Sequence, residues 1–221
     1  MPTTLSLPAG GEIHVWRGRL NLSNEVERLR ATLSPDELQR AGRLRFENSR
    51  NRFIAARAIL RMLIGSYLDV DPRILVFGCS QKGKPELGAG FSGSDLRFNL
   101  SHSHDRVVFA FSRGRETGVD VEKIRPLAQA DEIARRYFAQ ADQERIRRLR
   151  PRWRLRAFFR SWTRLEARIK ISGDGLFSPA PVQENDSGFE VRDVPIGHRY
   201  AAAVALDGPI QSVRYFNVPS V

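Results

Sequence analysis

Gly118-Val119-Asp120-Val121-Glu122 is the stretch from which the rest of the chain is read. Its valines alternate with acids at the period of a strand, so Val119 and Val121 turn to a core and both carboxylates share the opposite face. Working outward toward the N-terminus, Val107–Phe111 and Phe98–Leu100 are further extended runs. Turn-forming Gly83, Pro85, Gly88, Gly90 and Gly93 separate them from another at Ile74–Gly78. Before these, Phe53, Ala56, Leu60, Leu63 and Tyr67 recur at helical spacing, predicting a long helix over Asn51–Leu68 that Asp71-Pro72 stops. Ser34-Pro35-Asp36-Glu37 reads as a cap, a first-turn proline and first-turn acids, and Ile13–Arg17 as an opening strand.

Toward the C-terminus the order repeats. The strand at Gly118–Glu122 precedes helices near Asp131–Phe138, over a basic segment and at Leu155–Lys170, and strands return at Glu190–Val194, Tyr200–Leu206 and Ser212–Val218. The expected class is α+β, with two similar halves of helices packed on antiparallel sheets, residues 1–112 and 113–221. The second half carries the acids, and a cleft between similar halves is a favoured ligand seat. Only the first few residues and Pro179–Ser187 are expected to be loose.

Composition narrows the classes further. The chain has 221 residues, enough for a substantial core, and 36 Lys+Arg against 25 Asp+Glu give a formal net charge of +11. A single cysteine, Cys79, excludes an intrachain disulfide or a Cys-built zinc site and fits a reducing compartment. The longest nearly apolar run, Tyr200–Leu206, is too short to span a bilayer, so the cytoplasm is the expected location and no membrane is involved. Arginines concentrate at Arg145–Arg156 around Trp153 and at Arg40–Arg61, which reads either as solvated helix faces or as a surface for anionic partners.

Asp120 and Glu122 on one strand face repel unless a cation or proton lies between them, and Mg²⁺ takes carboxylate oxygens. On the helix whose buried stripe is Phe158, Trp162, Leu165 and Ile169, Glu166 and Lys170 stand one turn apart beside it. Taken alone each pattern is an ordinary strand edge or a surface ion pair. Phe98-Asn99-Leu100-Ser101-His102-Ser103, with Gly83-Lys84-Pro85 upstream, adds hydroxyl, imidazole and ammonium donors suited to phosphate oxygens. HExxH, Walker and GxSxG motifs are absent.

These stretches, with Trp162-Thr163-Arg164-Leu165-Glu166-Ala167-Arg168-Ile169-Lys170 and Gly173-Asp174-Gly175-Leu176, resemble in content and order the 4′-phosphopantetheinyl transferases. The length is that of the surfactin-synthetase-activating type, a pseudodimer in one chain. The resemblance implies that Asp120, Glu122 and Glu166 hold Mg²⁺ (or Mn²⁺) with the pyrophosphate of coenzyme A, contacted by Lys170 and His102. It places Ser101 and Lys84 in the coenzyme A site, Arg52 on the 3′-phosphate with Arg45 assisting, and a further acid at Asp142, with Glu144 as the other candidate. Two positions depart from the family pattern: Leu165 stands where a lysine is usual, leaving its charge to Arg164 or Arg168, and Asp142 where glutamate is common.

The implied reaction moves the 4′-phosphopantetheine arm to a serine of an apo carrier protein (fatty-acid, polyketide or nonribosomal-peptide) and releases adenosine 3′,5′-bisphosphate. Glu166 is the expected base, with Asp142 second. The expected partners are coenzyme A and an acidic carrier rather than nucleic acid, and the expected state a monomer. The alternatives are a Mg²⁺-dependent nuclease built on Asp120, Glu122 and Lys123, or a basic nucleic-acid-binding protein, neither of which uses Glu166, Lys170, His102 and Lys84.

Overall fold

The computed structural model describes residues 5–20, 25–79, 84–88, 90–91, 93–172 and 188–218. Gly83, Gly173-Asp174-Gly175-Leu176 and Pro179–Ser187 lie outside the described residues. The first half runs β1 (Glu12–Arg19), α1 (Val26–Arg30), α2 (Pro35–Gly42), α3 (Glu47–Leu68), a 3₁₀ turn (Pro72–Ile74), β2 (Phe77–Cys79), β3 (Pro85–Leu87), β4 (Leu96–Ser103) and β5 (Arg106–Arg113). It is followed by β6 (Thr117–Lys123), α4 (Ala130–Tyr137), α5 (Gln140–Arg148), α6 (Pro151–Ser172), β7 (Phe189–Asp193), β8 (Tyr200–Asp207) and β9 (Ser212–Asn217).

The local signals act where the sequence puts them, with two corrections. Ser34 closes a capping box with Glu37 at the start of α2. α3 ends at Leu68 as expected but starts earlier, at Glu47, and its stop is Asp69 in the left-handed conformation, with Val70 donating back to the Gly65 carbonyl, rather than Asp71-Pro72. Gly65 is required there, since a Cβ would stand 2.8 Å from the Val70 carbonyl oxygen. The extended run expected at Ile74–Gly78 is instead the 3₁₀ turn, held by the Asp71 side chain on the Arg73 N–H, and then β2, which pairs with β3.

The repeat of element order becomes a repeat of topology. One sheet contains β4-β5-β1 and another β7-β8-β6; in each, the second strand of a hairpin pairs antiparallel with the strand that preceded a 22-residue helix. β9 breaks the symmetry. Expected among the closing strands of the second half, it crosses to the first and pairs parallel with β1, so that sheet is mixed. It covers an edge of β1 that would otherwise be open, with Phe216 stacked on Trp16 at 4.7 Å between centroids.

Alternation along β1 and β5 sorts the core into layers. Trp16, Val107, Phe109 and Phe111 pack on α3, whereas Ile13, Val15, Val108 and Ala110 meet Val119, Val121, Ala202 and Val204 of the second sheet. On that sheet's far face α6 lies against Ala201, Ala203 and Ala205. The order is helix, sheet, sheet, helix, with the halves joined through an apolar seam. Small residues set how closely α6 approaches: a Cβ on Gly118 would fall 2.0 Å from the Ala167 carbonyl oxygen, so only glycine admits the helix there. That contact brings Glu166 and Lys170 of α6 down beside the acids of β6.

Candidate active site

Asp120 and Glu122 occupy the face of β6 opposite Val119 and Val121, which are fully buried in the seam. Asp120 is itself 4% exposed. Lys170 reaches it from α6: its Nζ donates to Asp120 Oδ1 at 2.7 Å, to Ser101 Oγ at 3.1 Å and to the Val119 carbonyl at 3.1 Å. Among the described residues, Asp120 Oδ2 is buried without a hydrogen-bond partner.

β4 supplies a second wall through an alternation of polar side chains. Asn99 Oδ1, Ser101 Oγ and Ser103 Oγ accept in turn from the N–H groups of Val119, Val121 and Lys123, at 3.1, 3.3 and 3.2 Å. Side chains of one sheet thus satisfy the backbone of another, as buried amides require. The two serines then donate onward, Ser101 to Asp120 Oδ1 and Ser103 to Glu122 Oε2, both at 2.9 Å. Ser103 and Asn99 are site-forming residues that carry no role of their own in the sequence; the signal available was the run of short polar side chains at 99, 101 and 103, one face of the strand.

The electrostatics follow from three acids sharing one ammonium. Burial, then the charges of Asp120 and Glu122, push Glu166 up to about 7 against the opposing pull of Lys170. Glu122 is also raised, by burial first and by Asp120, with the Ser103 hydroxyl working the other way. His102 is lowered by burial and by the charges of Lys170 and Arg52.

The remaining expected residues are distributed around this cluster. Lys84 is bonded to Glu116 Oε2 and to the Thr117 carbonyl, at the start of β6. Arg52 has a buried Nε with no partner, whereas Arg45 is exposed beside Phe46. Asp142 lies on α5, paired with Arg145 and 3.4 Å from the Ser161 hydroxyl, and is not among the charges that shift Glu166 or Glu122. Leu165 is buried in the core against the second sheet, so a lysine has no place there; Arg164 instead reaches the Val191 carbonyl and Asp193.

Hard oxygens, an orphaned buried carboxylate oxygen and two acids held above their usual range suit a divalent cation. Among the described residues no three acids or histidines already stand as a finished ligand group. Asp120 Oδ1 and Glu122 Oε2 are meanwhile engaged by Lys170 and the serines. The set therefore offers donors and charge, and some side-chain rearrangement is needed to close it.

Comparison with known proteins gives two family models that together span most of the chain. One, the 4′-phosphopantetheinyl transferase superfamily, matches residues 116–211, and the other, an N-terminal 4′-phosphopantetheinyl transferase model, residues 21–113. The 4′-phosphopantetheinyl transferase HetI of Nostoc sp. is 41% identical over 176 residues, covering 79% of this chain and 74% of that protein. A 4′-phosphopantetheinyl transferase of Bacillus subtilis is 27% identical over 187 residues, 83% of this chain and 81% of that one. The L-aminoadipate-semialdehyde dehydrogenase-phosphopantetheinyl transferase of Xenopus laevis is 30% identical over 152 residues, 65% of this chain and 50% of that one.

Proposed function

Because the chain belongs to the 4′-phosphopantetheinyl transferases, enzymes that move the 4′-phosphopantetheine arm of coenzyme A onto a carrier-protein serine, we propose that Asp120, Glu122 and Glu166 hold a divalent cation beside the coenzyme A pyrophosphate. The observation that carries this is Asp120 Oδ2, a buried carboxylate oxygen without a partner, in a cluster of three acids and one lysine. Mg²⁺ or Mn²⁺ would supply charge neutralisation on the phosphoryl oxygens.

The chain's own groups do the rest. Lys170, at the junction of Asp120 and Ser101, and the imidazole of His102 face the pyrophosphate oxygens. Arg52, with Arg45 at the periphery, meets the 3′-phosphate, and Lys84 and Ser101 hold the walls of the coenzyme A site through Glu116 and Asp120. The serine oxygen of the carrier attacks the phosphorus bearing the pantetheine arm, the bond to the adenosine 5′-phosphate oxygen breaks, and adenosine 3′,5′-bisphosphate departs. Glu166, beside these oxygens on α6, accepts the serine proton. Asp142 stands second, because Arg145 engages it on another helix.

The acceptor is an acidic carrier, the enzyme works as a cytoplasmic monomer, and the halves divide near residue 113 with β9 returned to the first sheet. Among the described residues no helix is long and apolar enough to cross a membrane. The similarities above give no support to the nuclease or nucleic-acid-binding alternatives.

The test is intact mass of an apo carrier incubated with the protein, coenzyme A and Mg²⁺. A gain of about 340 Da, abolished by chelator and reduced at least ~10³-fold in rate by Asp120→Ala, is expected. Full transfer in the presence of chelator would remove the cation from the reading.

A further inference from the structure

Among the described residues, two that are not glycine have a positive φ, Asp69 and His104, both at 54°. Asp69 stops α3. His104 has a different setting: Ser103 pairs with Arg106, so His104 and Asp105 make up the whole β4–β5 turn, and Asp105 stays outside the positive-φ region. A positive φ at the first of two turn residues alone is glycine's place in a hairpin. Asp105 holds the turn in this form: its carboxylate accepts from Arg19 Nε at 3.0 Å and from the Tyr200 hydroxyl, and its carbonyl from the Leu20 N–H at 2.8 Å. A strained, exposed histidine kept where glycine fits better points to a use for its ring.

That ring stands at the wall of a cavity of about 400 Å³, which Arg19, Arg52, Arg106, Lys123 and Arg199 also line. Its place follows from β4. Leu96, Phe98 and Leu100 turn to the α3 side of the sheet, so His102 carries that face past the core toward Arg52, near the start of α3. His104 comes two residues later, about 7 Å along the chain. After burial and a nearer lysine, the charge of Arg52 helps to lower both imidazoles, so this arginine lies close to each of them. Its Nε is buried without a partner among the described residues. On the transferase reading above, which this rests on, Arg52 meets the 3′-phosphate of coenzyme A and His102 the pyrophosphate, two groups carried by one ribose. We propose that His104 is a specificity-determining residue whose imidazole N–H donates to the 3′-phosphate beside Arg52. Either tautomer of the ring has an N–H to give, and the phosphate oxygens have acceptor positions for both side chains.

The test is steady-state transfer by the full chain with coenzyme A and with 3′-dephospho-coenzyme A, at saturating apo carrier and Mg²⁺. His104→Gly suits the backbone, so its melting temperature is expected at or above the wild-type value. Its KM for coenzyme A should nevertheless rise about tenfold, with kcat within about twofold and kcat/KM for 3′-dephospho-coenzyme A unchanged. His104→Asn, which tolerates positive φ and keeps an N–H donor, should recover most of the loss. An equal change with both substrates would make His104 a shaper of the cavity mouth, and no change with either would leave the strain to the turn alone; both overturn the proposal. Failure of the reading beneath it looks different. The wild-type protein would transfer nothing, or Arg52→Ala would retain the full preference for coenzyme A over the dephospho form, removing the 3′-phosphate from this wall and the proposal with it.

Discussion

Two clusters of buried charge, one in each half, differ in their balance. In the first half Glu37 is surrounded by two arginines: Oε1 takes Arg57 at 2.6 Å and Oε2 takes Arg61 at 2.6 Å, with the Ser34 N–H at 3.1 Å. Arg61, 1% exposed, donates through Nη1 to the Pro72 and Leu75 carbonyls at 2.9 Å each. Both carboxylate oxygens are satisfied, and the group ties α2, α3 and the 3₁₀ turn together. In the second half three acids share Lys170, and one oxygen of Asp120 has no partner. A buried cluster in which both carboxylate oxygens are bonded holds a fold, whereas an acid-rich one leaves a place for something the chain does not contain.

The sharpest way to break this comparison is to neutralise one acid in each cluster. Asp120→Asn should abolish transfer, with the loss of at least ~10³-fold expected for Asp120→Ala, while changing stability little, since it relieves repulsion as it removes a bond to Lys170. Glu37→Gln should do the reverse. It strands Arg57 and Arg61 in the core and should cost ~3–5 kcal/mol in denaturant unfolding, while transfer per folded molecule stays close to wild type. If Glu37→Gln lost activity at full stability, the division into structural and functional charge would be wrong.

What the sequence discloses follows the same division. The acids of β6, the pair Glu166 and Lys170 and the repeat of elements are local patterns, and periodicity or spacing suffices to find them. Arg61 is the counterexample: grouped by sequence with arginines that read as solvated helix faces or as a surface for anionic partners, it is among the most deeply buried side chains, because Glu37 comes from another helix. The crossing of β9 is equally hidden, since the pattern of Ser212–Val218 marks a strand but names no partner, and the partner is β1, some 200 residues earlier. The cavity lined by Arg19, Arg52, Arg106, Lys123 and Arg199 is assembled from β1, α3, the β4–β5 turn and the start of β5, the end of β6 and the entry to β8, so no single stretch carries it.

A smaller effect is expected one step back from the acids. Ser103 donates to Glu122 and accepts from Lys123 N–H, so Ser103→Ala frees the carboxylate and leaves a backbone donor open. Mn²⁺ binding measured by electron paramagnetic resonance, without coenzyme A, should weaken about tenfold, and Ser103→Thr, which keeps the hydroxyl, should restore most of it. Equal Mn²⁺ affinity in Ser103→Ala and wild type would mean that Glu122 is held by its strand alone.

The smallest effect is the most specific to the charge imbalance, and it is read as stability against pH in the presence of chelator. Glu166 has its pKa raised from 4.5 to about 7, so the folded chain holds a proton there that the unfolded chain gives up above 4.5. Its contribution is fully present below pH 4.5 and is lost as pH rises to and through 7. His14, His102 and His104 are lowered instead, and they act oppositely, favouring the fold as pH rises through the same region. A comparison with Glu166→Gln, which cannot titrate, isolates the carboxylate. The two proteins should melt alike near pH 4.5, and the variant should become the more stable by ~1–2 kcal/mol above pH 7, a shift of several degrees. Adding Mg²⁺ at pH 8 should then raise the wild-type melting temperature more than that of the variant, because a cation compensates a charge that glutamine lacks. Parallel curves for the two proteins from pH 4.5 to 8 would show that Glu166 is already accommodated by Lys170, and that the second cluster is as balanced as the first.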